Sequence, residues 1–213
     1  MPLRLAFALS LGLLGGCKVI AIEADREARE RSSEAFNAQA YVNRSWSTRI
    51  VPELKARSIP LAALQKAMRA DLDRAGQAHG RRAAEGSPWS FVVSGDAVVA
   101  GVNHKSRAGR IDLIVQGADR GVPVSIEAGP VMVNTALRDC LPFLTFDDFA
   151  DQIAFADVGR ELNRRALTAN RTLLDGLAPG DRVRFLGAAN IADADAPIRM
   201  TAITLQRSQP GSV

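Results

Sequence analysis

The chain reads as an α+β protein: N-terminal helices followed by an OB-like five-stranded β-barrel, with a long helix between strands three and four. Three observations predict this. Before residue 89, apolar residues recur mainly at three- and four-residue spacings. From Trp89 the period drops to two, through three runs separated by glycine-rich turns. Residues 145–177 then return to a mainly helical period, and two more alternating runs follow. Three strands, a helix and two strands is the order of an OB-type barrel, whose helix plugs one end. An open five-stranded sheet packed on the helices is the competing arrangement. Glycines near strand bends and ends favour closure, which demands sharp curvature.

The first element is a leader. Arg4 precedes an apolar run over residues 5–14, interrupted only by Ser10 and Gly12, and Leu14-Gly15-Gly16-Cys17 follows. The run suits a signal-peptide core and is too short to span a bilayer, which needs about 20 apolar residues. Small residues ahead of a cysteine mark the point where a lipoprotein precursor is acylated and cut. Residues 1–16 are therefore read as a signal peptide and Cys17 as the lipidation site. Its thiol would carry diacylglycerol, and two acyl chains are what stable anchoring requires. The expected place is the periplasm, tethered to a membrane by lipid and palmitate-type acyl chains. Lys18 follows where some bacteria read an aspartate for inner-membrane retention, and both membranes stay open.

Residues 17–88 are expected to form a helical stalk and an N-terminal helical region. Glu23, Glu27, Glu30 and Arg26, Arg29, Arg31 lie at spacings that pair along a helix. Ala28, Ala35, Phe36 and Val42 supply an apolar stripe, and Trp46 and Ile50 a docking turn. Ser58 reads as the cap of a helix with Pro60 in its first turn and Leu61, Leu64, Met68 and Leu72 on its buried face. Residues 76–88 read as a loop. The barrel domain spans residues 89–207. Phe91 and Val93, then Val98, Ala100 and Val102, make a strand bent at Gly95-Asp96. Ile111, Leu113 and Val115 make the second, and Val122, Val124 and Ile126 the third, ending at Gly129-Pro130. Thr145 with Asp148 forms a capping box for the long helix, stapled by Leu144 and Phe149. Its apolar face is Phe149, Ile153, Leu162, Ala166, Ala169, Leu173 and Leu177, with a bend at Gly159. Val183, Phe185 and Gly187 start the fourth strand. The fifth holds Ile198, Met200 and Ala202, with Ile203 and Leu205 on its other face. Residues 208–213 are a flexible tail.

Several short motifs together resemble the predicted periplasmic lipoproteins of the domain-of-unknown-function 2291 family (DUF2291). They are Phe36-Asn37-Ala38-Gln39-Ala40-Tyr41-Val42-Asn43-Arg44-Ser45-Trp46, Gly129-Pro130, Ala136-Leu137-Arg138-Asp139, Phe146-Asp147-Asp148-Phe149, Ala156-Asp157-Val158 and Leu162-Asn163-Arg164-Arg165. The resemblance runs from the lipobox to about Leu205. It implies an address more than an activity, and an accessory role beside sugar ABC-transport systems.

No catalytic constellation emerges, and the chain is expected not to be an enzyme. His79 and His104 lack cysteine or histidine at ligand spacing, so zinc is not expected. Asp147, Asp148, Asp151, Asp157 and Glu161 could offer oxygen ligands, but the first two have a structural task at a helix start and neighbouring arginines neutralise the others. No metal and no cofactor is expected, and no nucleophile elbow or phosphate-binding loop is present. With Cys17 acylated, Cys140 has no intrachain partner and reads as a buried small hydrophobe. The net charge of +4 comes from interspersed arginines and not from a basic tract, which argues against nucleic acid.

Candidate ligand-binding residues are Arg138, Asp139, Asn163 and Arg164. Arg138-Asp139 could hold an anionic or hydroxylated ligand or close a loop as an ion pair, and the second is favoured. The expected function is a lipid-anchored, non-catalytic accessory or binding protein whose partners are membrane lipid and a transporter or envelope protein. The alternative is an OB-like module that holds a glycan or cell-wall fragment on Trp89 and Phe91. A metal-dependent hydrolase comes last.

Overall fold

The computed structural model describes residues 22–33, 36–132 and 134–208. Its helices and strands come in chain order as α1 (Ile22–Arg31), α2 (Ala38–Ser45), a π-turn (Trp46–Ile50), α3 (Val51–Ala56), β1 (Ile59–Pro60), α4 (Leu61–Ala70), α5 (Leu72–His79) and β2 (Gly80–Arg81). β3 (Trp89–Asn103), β4 (Arg110–Val115), β5 (Val124–Glu127), α6 (Ala136–Asp139), a 3-10 turn (Phe146–Asp148), α7 (Gln152–Asp175), β6 (Arg182–Ile191) and β7 (Ile198–Arg207) follow. Cys17 and the leader lie outside the described residues.

The strands form one seven-stranded mixed sheet in the order β1-β3-β4-β5-β7-β6, with β2 also on β3 and a further pairing of β3 with β6. That last pairing closes the hydrogen bonding of β3, β4, β5, β7 and β6 into a ring. β3 makes closure possible because it is long enough to serve two neighbours. Its first ten residues pair antiparallel with β6, and six of its last seven pair with β4. β5 and β7 are the one parallel pair in the ring. The edge of β3 that β4 does not reach is taken by β2 at Ser90 and Phe91 and by β1 at Val93 and Ser94. Little open edge is left there to recruit another chain.

The long helix α7 lies between β5 and β6, not between a third and a fourth strand. β1 and β2 come first, and two residues each are too few to leave an alternation in the sequence. Other expectations also shift. The bulge of β3 sits at Ala100, not at Gly95-Asp96. Phe91, Val93, Ala97 and Val99 therefore point inward in one unbroken alternation, and Val98 and Ala100 do not. A second bulge, at Ile203 in β7, returns Leu205 to the inside and leaves Ile203 on the outer face. Ser58 does not cap α4. Its hydroxyl donates to the Lys55 carbonyl at the end of α3, and the helix begins after Pro60. The Thr145–Asp148 box caps only the 3-10 turn, because Phe149 is extended and restarts the chain. Asp151 caps α7 instead, accepting from the Ala154 N–H at 2.8 Å. Ile153, on the first turn of α7, is 69% exposed, and Gly159 lies within the continuous helix.

Two apolar cores result. The inner one fills the ring with Phe91, Val99, Ile111, Ile126, Phe185 and Met200, and α4 and the end of α7 close onto it through Leu61, Leu64, Met68 and Leu174. α5 crosses the Trp89 ring at Gly76, where a Cβ would lie 2.1 Å from the indole. The outer core lies between the helices and the outward side of β3, β6 and β7. There Val92, Leu186, Ala188 and Ile203 meet Tyr41, Trp46, Leu137, Val158 and Leu162. α1 docks on this layer through charge: Glu27 pairs with Arg49, Glu30 with Arg44 at 2.6 Å, and Arg31 with Asp148 at 3.7 Å. Arg31 also pairs with Glu27 along the helix itself.

Candidate functional site

The helices cover the outward side of β3, β6 and β7. The outward side of β4 and β5, with the near end of β7, stays open. The strand registers fix what is displayed there. Arg110 on β4 is opposite Glu127 on β5, Asp112 is opposite Ser125, and Ser125 is opposite Arg199 on β7. Their chain neighbours Ile111, Val124, Ile126, Ile198 and Met200 face the inner core. A period of two thus sets a small polar array over an apolar floor.

The loop between β3 and β4 closes one side of this array, giving a recess of about 140 Å³ lined by Asn103, Ser106, Gly109, Arg110, Ser125, Glu127 and Arg199, with Ala108 at its rim. The rim is fixed to the chain after β5. Gly129 N–H donates to the Ala108 carbonyl at 2.9 Å, and Val131 N–H to the Arg107 carbonyl at 3.3 Å. The two loop segments approach so closely here that a Cβ on Gly129 would lie 2.2 Å from the Arg107 carbonyl oxygen. Gly129-Pro130 therefore has a concrete role in shaping this rim.

Charge balances across the array. Arg110 pairs with Asp112 at 2.8 Å, and Arg199 faces Glu127. Burial pushes the Glu127 carboxyl above the usual carboxylate range, against the opposing pull of Arg199 and of the Asn134 and Thr201 side chains. One carboxylate oxygen of Glu127 is sealed from solvent without a hydrogen-bond partner. The sequence reading missed this site. Its signal was the alternation of Arg110, Asp112, Ser125 and Glu127 with apolar residues, which was used only to place strands.

The sequence-derived candidates lie elsewhere, under the helices. Arg138 pairs with Asp139 at 2.8 Å, and its guanidinium stacks 3.9 Å from the Phe155 ring centre. Asp139 also accepts the Thr135 hydroxyl at 2.6 Å. Gly159 of α7 lies beside Arg138. One helical turn on, buried Asn163 donates to the Asn134 carbonyl at 2.6 Å while its own oxygen has no partner. The fold thus brings Arg138, Asp139 and Asn163 to one seam between α6 and α7. Arg164 does not join them: it is half exposed and pairs with Glu161 at 2.5 Å. Asn170 is a structural polar group the sequence did not flag. Its amide donates to the carbonyls of Ala202 at 3.0 Å and Ile203 at 3.3 Å, beside the β7 bulge.

Four of the five carboxylates considered as metal ligands have other tasks. Asp148 holds Thr145 and Arg31, Asp151 caps α7, Asp157 pairs with Arg160, and Glu161 pairs with Arg164. Cys140 is buried, and burial together with the neighbouring Asp139 charge pushes its thiol pKa up. A glycan platform of Trp89 and Phe91 loses its basis: they are 8% and 0% exposed, both in the inner core. The Trp89 N–H donates to Asp73 at 2.9 Å.

A family model described as predicted periplasmic lipoprotein (DUF2291) matches residues 7–206. Among solved structures the chain is similar to an OB-fold protein from Thermotoga maritima. The two share 14% sequence identity with a TM-score of 0.65, over 82% of this chain and all of that one. That likeness concerns the fold alone. No curated protein matches the chain. Among the described residues, no helix is long and apolar enough to cross a membrane.

Proposed function

The chain belongs to the DUF2291 family of predicted periplasmic lipoproteins, and from that premise we propose that it is a non-catalytic accessory protein, held at the membrane by acylated Cys17. Residues 1–16 act as the signal peptide, and the lipobox Leu14-Gly15-Gly16-Cys17 places the diacylglycerol on the first residue of the mature chain. The observation that carries the reading is the family match together with this motif. A binding role, and not chemistry, is favoured by how the reactive groups are used. The Cys140 thiol is buried and its pKa is raised, and the carboxylates near α7 serve caps and ion pairs. The partner we propose is a transporter or envelope protein of a solute-uptake system, as the family resemblance implies.

The test is metabolic labelling with a radioactive fatty acid, followed by membrane fractionation. The native chain should take up label and sediment with membranes. C17S should lose the label and appear in the soluble periplasmic fraction. Label retained by C17S would overturn the anchor. Pull-down from detergent-solubilised membranes tests the partner: recovery of no transporter or envelope protein above the C17S control would remove the accessory role.

A further inference from the structure

We propose that the recess between β4, β5, β7 and the β3–β4 loop is a binding site for a small neutral polyol, the size of one monosaccharide. This rests on the reading of the chain as a binding protein and supplies its ligand class. Size limits the class first. A recess of about 140 Å³ is well below the range of roughly 300–1,000 Å³ typical of drug-sized ligands. It admits a single ring or a short linear polyol.

Charge limits it next. Arg110 and Arg199 line the recess with Glu127, which faces Arg199, and Asp112, just outside the lining, neutralises Arg110 in a 2.8 Å ion pair. The site therefore has no net charge to hold a phosphate or an ammonium ion alone. It is rich in both donors and acceptors, however: guanidinium N–H groups, the Asn103 amide, the Ser106 and Ser125 hydroxyls and the Glu127 carboxylate. A hydroxyl both donates and accepts, so a ligand carrying several adjacent hydroxyls can serve all of these groups at once.

Geometry makes the third argument. The groups are held by three paired strands and by a rim pinned at Gly129, so little ordering is needed on binding. Glu127 stays half-buried in the wall of the recess although burial disfavours its charge. Its carboxyl group also faces the Asn134 and Thr201 side chains, and one of its oxygens is sealed from solvent, so the ligand would meet the other.

The experiment is saturation-transfer NMR on the acylated full-length chain in lipid nanodiscs. The probes are glucose, galactose, ribose, mannitol and myo-inositol, with glucose 6-phosphate and betaine as charged comparisons. At least one neutral polyol should bind saturably, with a Kd of about 10 μM to 1 mM for so small a ligand. E127Q and R199Q should each weaken it at least tenfold, while E85Q, in an exposed loop, leaves it unchanged. Circular dichroism melts confirm that each variant is folded. If no neutral polyol binds up to about 10 mM, the proposal falls. It also falls if only glucose 6-phosphate or betaine binds, or if binding survives both E127Q and R199Q. None of these outcomes affects the fatty-acid labelling result, so the anchor and the ligand site are judged separately.

Discussion

The two outer sides of the same ring of strands carry opposite chemistry. On β3, β6 and β7 the outward residues Val92, Leu186, Ala188 and Ile203 are apolar and lie under helices. On β4 and β5 the outward residues Arg110, Asp112, Ser125 and Glu127 are polar, with Arg110 exposed, Asp112 and Glu127 half-buried and Ser125 buried beneath the recess, and the one apolar residue among them, Ile114, is 46% exposed. The inward residues are alike on both sides. A strand that is apolar on both faces is one that something must cover, and a cleanly alternating strand tolerates water on one face. Here the bare side coincides with a recess whose floor is set by strand registers and whose rim is the β3–β4 loop. The covered side builds stability and the open side is free to recognise a ligand.

The contrast should break first where burial is deepest. Leu162 on α7 is fully buried against the covered side. L162A should cost about 2–5 kcal/mol, from lost burial and the cavity left behind. Urea unfolding followed by circular dichroism measures this directly. A loss under 1 kcal/mol would mean that the helices rest on the sheet without packing into it.

A matched pair then compares the two sides. Val92 is outward on β3 and 1% exposed, whereas Ile114 is outward on β4. V92T places a hydroxyl in the outer core and should cost about 1–3 kcal/mol. I114T places the same group in water, and exposed substitutions of this kind stay within roughly 0.5 kcal/mol. Equal losses in the two variants would show that β4 is covered in solution, by a second copy or a partner.

Much of this contrast was legible in the sequence, and its limits are physical. Alternation located the five longer strands, and the order of elements suggested the OB-type arrangement. What failed were local details that depend on pairing partners. A bulge shifts register by one residue, so Val102 and Leu205 could not be assigned a face until β4 and β6 were beside them. The capping box at Thr145 is real but serves a three-residue turn, because capping chemistry does not reveal how long the following helix runs. The recess between β4, β5 and β7 was not legible for a related reason. Arg138 and Asp139 stand out as a charged pair in an apolar stretch, and the fold uses them to join α6 to Phe155 of α7. Arg110, Glu127 and Arg199 are distant in sequence and look like ordinary solvent-facing residues. Only the register of three strands brings them together.

Glu127 offers the smallest effect and the sharpest test of what the open side is for. Its carboxyl is held above the ordinary carboxylate range, mainly by burial. The folded state therefore keeps a proton that the unfolded chain has already lost. Stability should fall as pH rises from the ordinary carboxylate value through the folded-state value, and stay lowered above it. E127Q cannot ionise, so it should flatten this step and unfold at slightly higher urea than the native chain at neutral pH. Below the ordinary carboxylate range the two should coincide. Urea midpoints across that range check the sign, and a native curve parallel to that of E127Q would remove the argument. A variant that is more stable but no longer holds a polyol would separate the two roles cleanly. The carboxylate would then be a group that folding tolerates and binding requires, which is the pattern expected where a functional site is kept at some cost in stability.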